Sequence, residues 1–241
     1  MGLSFFAGLA WLFAAGAVCL LSAGRLKRSA LELFARIVGA ATAPALYAML
    51  TLPGFFLHEG AHALTAVLLR VPVRGVTFIP RRAAGDLGVG AGVRVARRDA
   101  LRMALIALAP LAAGIVALGL LTGALGAAGA DPRPWVRLPA WLSAANWRSS
   151  SAWIAVYMIW SIGSHMAPSA TDMQYVWGGA AALLVALVAL GVILFLLGMT
   201  LLDGLGLLLG RLGDGLAVGA GLNVLMWIPV ALASALIRRR R

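Results

Sequence analysis

The chain has 241 residues, 62% hydrophobic and 12% charged, with a mean hydropathy of +0.96. A soluble domain is nearer about 45–50% apolar, so this composition argues against an ordinary soluble fold. The formal net charge is +12, carried by 20 basic residues of which Lys27 is the only lysine. With no soluble domain to present an aromatic-basic platform, that excess excludes nucleic acid as the expected partner and points to loops at anionic lipid headgroups.

Six apolar stretches follow in order, at residues 3–23, 37–69, 101–123, 151–167, 177–202 and 215–237. Each is near the roughly 20 residues that a spanning helix needs. The expected fold is therefore an all-α polytopic membrane protein, a single transmembrane domain over residues 1–241 with about six transmembrane helices. The first stretch reads as an uncleaved helix. No basic segment precedes it, and it exceeds the ~7–15 residues of a signal-peptide core. Its Cys19 is the one cysteine, so neither an internal disulfide nor a CxxC metal pair is expected, and it reads as a packing residue. The second stretch is too long for one simple span and too short for two. Pro44 and Pro53 break its pattern, which predicts a kink or an interfacial segment. The fourth ends at Pro168. Asn223 in the last stretch reads as an interhelical hydrogen-bond donor, and Gly204, Gly206 and Gly210 as packing positions.

Two connections stand out. Residues 71–98 alternate β-branched side chains (Val73, Val76, Thr77 and Ile79, then Val89, Val93 and Val95) around a glycine-rich middle, which predicts a small β-hairpin or sheet after the second stretch. Gly85, Gly88, Gly90 and Gly92 read as turn glycines, because no Gly-Lys-Ser/Thr follows to make a phosphate loop. Residues 124–150 carry Trp135, Trp141 and Trp147, as an interfacial aromatic belt does. The arginines of 70–102 and of the tail, Arg238 to Arg241, place both segments in the cytoplasm. Counting spans from there puts 124–150 and 203–214 outside and 168–176 inside. The count conflicts with Arg25, Lys27, Arg28 and Arg36, which it puts outside. Either the long second stretch is partly re-entrant, or these charges are overruled.

Within the second stretch, His58-Glu59-Gly60-Ala61-His62 is an HExxH motif. On a helix its two histidines lie on one face a turn apart, where both imidazoles reach one zinc ion. Glu59 stands beside them as a general base for water and a proton donor to a leaving amine. Two His and a Glu are costly inside apolar sequence, which makes the cluster a functional rather than a packing feature. A catalytic zinc takes a third protein ligand. The candidates are His165, Asp172, Asp203 and Asp214. Sidedness favours Asp172, which follows the fourth stretch at the cytoplasmic end; Asp203 and Asp214 follow the fifth, at the other end.

The order of these features resembles the site-2-protease group of intramembrane zinc metalloproteases. The resemblance covers roughly residues 45–180: HEGAH in an apolar helix, a Gly-rich β-type stretch, Ala-Leu-Ala-Pro-Leu-Ala-Ala-Gly at 107–114, and a later Pro followed by an Asp. That family shows Asn-x-x-Pro and then Leu-Asp-Gly. This chain has His165-Met166-Ala167-Pro168-Ser169-Ala170-Thr171-Asp172 instead, a form similar to uncharacterised prokaryotic members. Its Leu202-Asp203-Gly204 follows no Asn-x-x-Pro. The resemblance implies a metalloprotease core at about 37–180, one zinc per chain on His58, His62 and Asp172, and Glu59 as base. His165 then binds substrate or the oxyanion, or orients a ligand.

The expected function is zinc-dependent hydrolysis of peptide bonds in membrane-protein or peptide substrates, inside the lipid bilayer of a prokaryotic cell membrane and toward its cytoplasmic side. The residues 71–98 would hold an unwound substrate strand by edge addition. Two alternatives stay open: a transporter or channel using the His/Glu/Asp cluster for ions or protons, and an inactive homologue that keeps the metal.

Overall fold

A computed structural model of the protein describes residues 3–82, 89–96, 99–125, 147–167, 169–197 and 201–239. Its helices are α1 (Leu3–Val38), α2 (Ala43–Leu50), α3 (Leu52–Leu68), α4 (Ala100–Ala124), α5 (Ser150–His165), α6 (Ala170–Leu196) and α7 (Leu201–Arg239). Between α3 and α4 lie β1 (Val73–Arg82) and β2 (Val89–Val95). The two strands pair antiparallel, Val73 with Val95 and Val76 with Val93, as the alternation of β-branched residues predicts.

Among the described residues three helices are long and apolar enough to cross a membrane, over Ser4–Val38, Ala100–Ala124 and Leu202–Ile237. The six expected spans are not shown as such, and the differences are physical. The first and last stretches run on into polar sequence as longer helices. The 203–214 connection does not exist as a loop but lies within α7. The second stretch is two helices, α2 and α3. Each starts with a proline in its first turn, where the missing N–H costs nothing, and Thr51 between them has non-helical φ −117° and ψ 34°. Trp135, Trp141, Pro168, Gly85 and Gly88 lie outside the described residues.

Contacts between helices give their directions. α1 and α7 run parallel: Ser4 donates to Asp203, Trp11 Nε1 to Asp214 (2.9 Å), and Trp227 Nε1 to Ser29 (3.1 Å). Glycines allow this seam, since a Cβ on Gly8 would lie 2.2 Å from the Gly206 carbonyl oxygen. α3 and α5 also run parallel, pairing Gly54 with Ser161 and His58 with His165. α2 runs the other way: Tyr47 stacks on His165, while Leu50, one turn later, accepts from Tyr157. α2 therefore descends beside α5 and α3 climbs back. α4 and α6 oppose α1: along α4, Gly114 meets Met166, which lies beside Cys19, while Gly119 meets Leu212, next to the Gly213 that faces Trp11, and the end of α6 brings Gly191 against Phe5.

These directions bring the C-terminal turns of α1, the hairpin, the start of α4 and the end of α7 to one end of the molecule. Arg25, Lys27, Arg28, Arg36, Arg74, Arg94 and Arg102 are all on that end. The conflict in the arginine count disappears, because α2 and α3 together enter and leave on the same side.

α3 stops in a Schellman motif. Val71 N–H bonds the Ala66 carbonyl (2.8 Å) and Arg70 N–H that of Val67 (3.0 Å), while Val71 packs buried against Ala66 and Ile106. Arg70, at φ 55°, occupies the left-handed position usually given to glycine. This turn directs the chain from the HExxH helix into the hairpin. A central core of Cys19, Leu118, Ile159, Ile162, Met166 and Leu216 ties α1, α4, α5 and α7 together beneath it.

Candidate metal centre

His58 and His62 sit one turn apart on α3, and Asp172 enters from the first turn of α6. Their ligand atoms converge. His58 Nε2 and His62 Nε2 are 3.2 Å apart, His62 Nε2 is 3.5 Å from Asp172 Oδ1, and His58 Nε2 is 3.9 Å from Asp172 Oδ2. The two carboxylate contacts are made by different oxygens, and three ligand atoms, one from each residue, lie within 4.8 Å of one another. A tetrahedral ion with bonds of about 2.0–2.2 Å holds its ligand atoms roughly 3.3–3.6 Å apart, so the group could hold one ion after the carboxylate draws slightly closer. The side chains are only 11%, 10% and 16% exposed for His58, His62 and Asp172.

The tautomers are fixed by what the other ring nitrogens touch. His58 Nδ1 lies 2.7 Å from the His165 carbonyl oxygen, and His62 Nδ1 lies 2.8 Å from that of Ile106. A carbonyl only accepts, so each Nδ1 carries the hydrogen and each Nε2 presents a lone pair. Two lone pairs and a carboxylate then face one another at bonding distance of a shared cation. A proton on His62 Nε2 relieves the repulsion between them by donating to His58 Nε2 or Asp172, and a divalent metal relieves it by accepting from all three, so the donor set fits a metal ion.

Asp172 is held as firmly. Ser169 and Asp172 form a capping box at the start of α6. Ser169 donates to Asp172 Oδ2 through both its hydroxyl (2.6 Å) and its N–H (2.8 Å), which turns the carboxylate toward the histidines. α3 and α5 approach closely enough to align the ligands because of Gly54. Its N–H bonds Ser161 Oγ at 2.8 Å, and a Cβ there would lie 2.0 Å from the Ser161 carbonyl oxygen.

Glu59 is buried, 8% exposed. Its carboxylate lies against the backbone N–H of Val93 in β2 and within electrostatic range of His62, Asp172 and Lys27. Placed beside the ligands but outside the convergent trio, it has the position of a proton carrier. Among the described residues His58, His62 and Asp172 are the group of three able to hold a metal ion. Asp203 and Asp214, the other acidic candidates, accept from Ser4 and Trp11 on the α1–α7 seam instead. The His165 ring stacks on Tyr47 (centroids 5.3 Å apart) and meets Phe55 edge-on, so this residue reaches the site through its backbone carbonyl.

Comparison of the chain with protein-family models, with curated proteins and with solved structures finds no match. The site accordingly stands on its own geometry.

That geometry contains partners that the sequence did not reveal. The carbonyls of Ile106 and His165 carry no side-chain signal. Ser169 was legible in principle, since Ser-x-x-Asp at a helix start is a capping signature. Lys27 lies in electrostatic range of His58, Glu59 and His165. Its signal was compositional, one lysine among 20 basic residues.

Proposed function

We propose that the protein is a membrane-embedded zinc metallopeptidase that hydrolyses peptide bonds of membrane-protein or peptide substrates near the arginine-rich face. The observation that carries this reading is the convergence of His58 Nε2, His62 Nε2 and the Asp172 carboxylate, with a buried, non-ligating glutamate one residue from His58. Three protein ligands leave a position for water or substrate, as catalytic zinc sites do and closed structural sites do not.

A zinc ion held there supplies Lewis acidity to the scissile carbonyl and to a water, whose pKa it lowers toward about 7. The residues of the chain do the rest. Glu59 takes the proton of the attacking water on its carboxylate and returns it to the leaving amine. The backbone carbonyls of Ile106 and His165 hold the imidazoles in orientation, and Ser169 holds Asp172. The apolar walls restrict water to the site, which strengthens each of these interactions. A helical substrate hides its carbonyls in hydrogen bonds and must unwind to be cut. β2, which touches Glu59 through Val93, offers an edge to which an unwound strand can add.

The test is a Glu59→Gln variant assayed with a single-span substrate alongside elemental analysis. We expect about one zinc per chain in both proteins, and cleavage in the wild type only. Retained turnover in the variant would remove Glu59 as the base. Zinc without turnover in the wild type, across a panel of single-span substrates, would favour an ion-handling role for the cluster.

A further inference from the structure

Pro110 lies in the interior of α4 and is almost wholly buried. An interior proline normally destabilises a helix, because it has no N–H to give to the carbonyl four residues before it. Here that carbonyl belongs to Ile106, the group that accepts from His62 Nδ1 at 2.8 Å. In an unbroken α-helix, the N–H of residue 110 would occupy the Ile106 oxygen along the helix axis. The proline leaves it free to turn sideways to the imidazole. The exchange also answers the cost of proline in an apolar setting, where a freed carbonyl is tolerated only if another group satisfies it.

We propose that Pro110 is a positioning residue for the metal centre: by withholding its N–H it reserves the Ile106 carbonyl for His62, fixing the tautomer and rotation that aim Nε2 at the metal. His58 is served by a parallel device. His165 is the last residue of α5, so its carbonyl is one of those a helix end leaves without an intrahelical partner, and it accepts from His58 Nδ1. Both ligand histidines thus rest on main-chain oxygens that their helices cannot use. The inference rests on the metal-binding part of the proposed function and not on the hydrolase part.

The test separates the missing N–H from the shape of the ring. Pro110→Ala restores the N–H. Lactic acid incorporated at position 110 has the same methyl side chain as alanine, but an ester oxygen in place of the N–H. Zinc affinity of the full-length protein in detergent, measured by competition with a chromophoric chelator, should fall about 10–100-fold in Pro110→Ala, the loss typical of removing a partner that orients a ligand. It should return to within a few-fold of wild type in the lactic acid variant. The melting temperature of metal-free Pro110→Ala should not fall in parallel, because alanine is the better helix former. Pro229→Ala, at the other interior proline, in α7, should leave zinc affinity unchanged. Equal zinc affinity in wild type and Pro110→Ala would overturn the proposal. So would a loss in Pro110→Ala that the ester fails to restore, since the ring's packing and not the N–H would then be responsible.

Discussion

Each imidazole of the HExxH motif is held at one nitrogen by a main-chain oxygen, so only the other is available to a metal. This makes the contribution of each ligand separable. His58→Ala and His62→Ala should each abolish stoichiometric zinc, measured by elemental analysis of chelator-free protein. Asp172→Ala should weaken zinc strongly, while Asp203→Ala should keep it, because Asp203 serves the Ser4 contact at the far end of α1. Zinc retained in Asp172→Ala and lost in Asp203→Ala would reverse the assignment. Much of this trio was legible as spacing and sidedness. His58 and His62 follow from an i, i+4 pattern, and Asp172 from its place just after the fourth apolar stretch. The anchoring carbonyls were not legible, because every residue has one and only the fold decides which are free. The His165 side chain was read as a candidate partner of substrate or ligand. Its ring packs on Tyr47 and Phe55, and its carbonyl meets His58.

At the scale of elements, the ligands come from two helices that do not touch in sequence, and their alignment depends on how α3 lies on α5. Gly54 sets that distance. Gly54→Ala introduces a methyl where the Ser161 carbonyl already stands, and overpacking of this kind costs about 1–3 kcal/mol. The backbones must part, carrying His58 away from the His165 carbonyl. The variant should therefore melt at a lower temperature and bind zinc more weakly, as thermal denaturation and chelator competition would show. Unchanged zinc affinity would mean that the α3–α5 contact does not set the site. The elements themselves were unevenly legible. The hairpin and α4 follow from alternation and an apolar run. The split of 37–69 into α2 and α3 was signalled by Pro44 and Pro53, but their opposite directions were not, because reversal at Thr51 is decided by Tyr47 finding His165 and Tyr157 finding Leu50. α7 was misjudged at its start, where Asp203 and Asp214 gave 203–214 the look of a loop. Both carboxylates are accepted into the helix by hydrogen bonds from α1.

For the whole molecule, the parallel course of α1 and α7 constrains how the chain can thread a bilayer. Two parallel spanning helices have an odd number of crossings between them. On the proposed threading α4, α5 and α6 each cross once, which leaves an even number for α2 and α3. The 8 residues of α2, about 12 Å at about 1.5 Å per residue, are too short to cross, so the two helices form a re-entrant hairpin. The apolar part of α1, residues 3–23, is roughly 30 Å long at about 1.5 Å per residue and matches one hydrocarbon core. It ends just before Arg25, so the basic turns of α1 emerge on the same face as Arg74, Arg94 and Arg102. The proposed threading assigns that face to the cytoplasm by the positive-inside rule; the candidate metal site lies close to it, His58 being ten residues before the end of α3, roughly 15 Å. Single cysteines in a Cys19→Ala background test this with a membrane-impermeant maleimide. Ala41→Cys, in the turn between α1 and α2, and Arg74→Cys should both stay unlabelled in intact cells and react after permeabilisation. Ser150→Cys, at the start of α5, should react in intact cells. Six crossings would instead put residue 41 on the opposite side from residue 74, so labelling of Ala41→Cys together with Ser150→Cys would show that α2 and α3 cross the membrane. Labelling of Arg74→Cys from outside would invert the whole assignment. Neither readout needs metal or turnover, so the threading stands or falls separately from the chemistry.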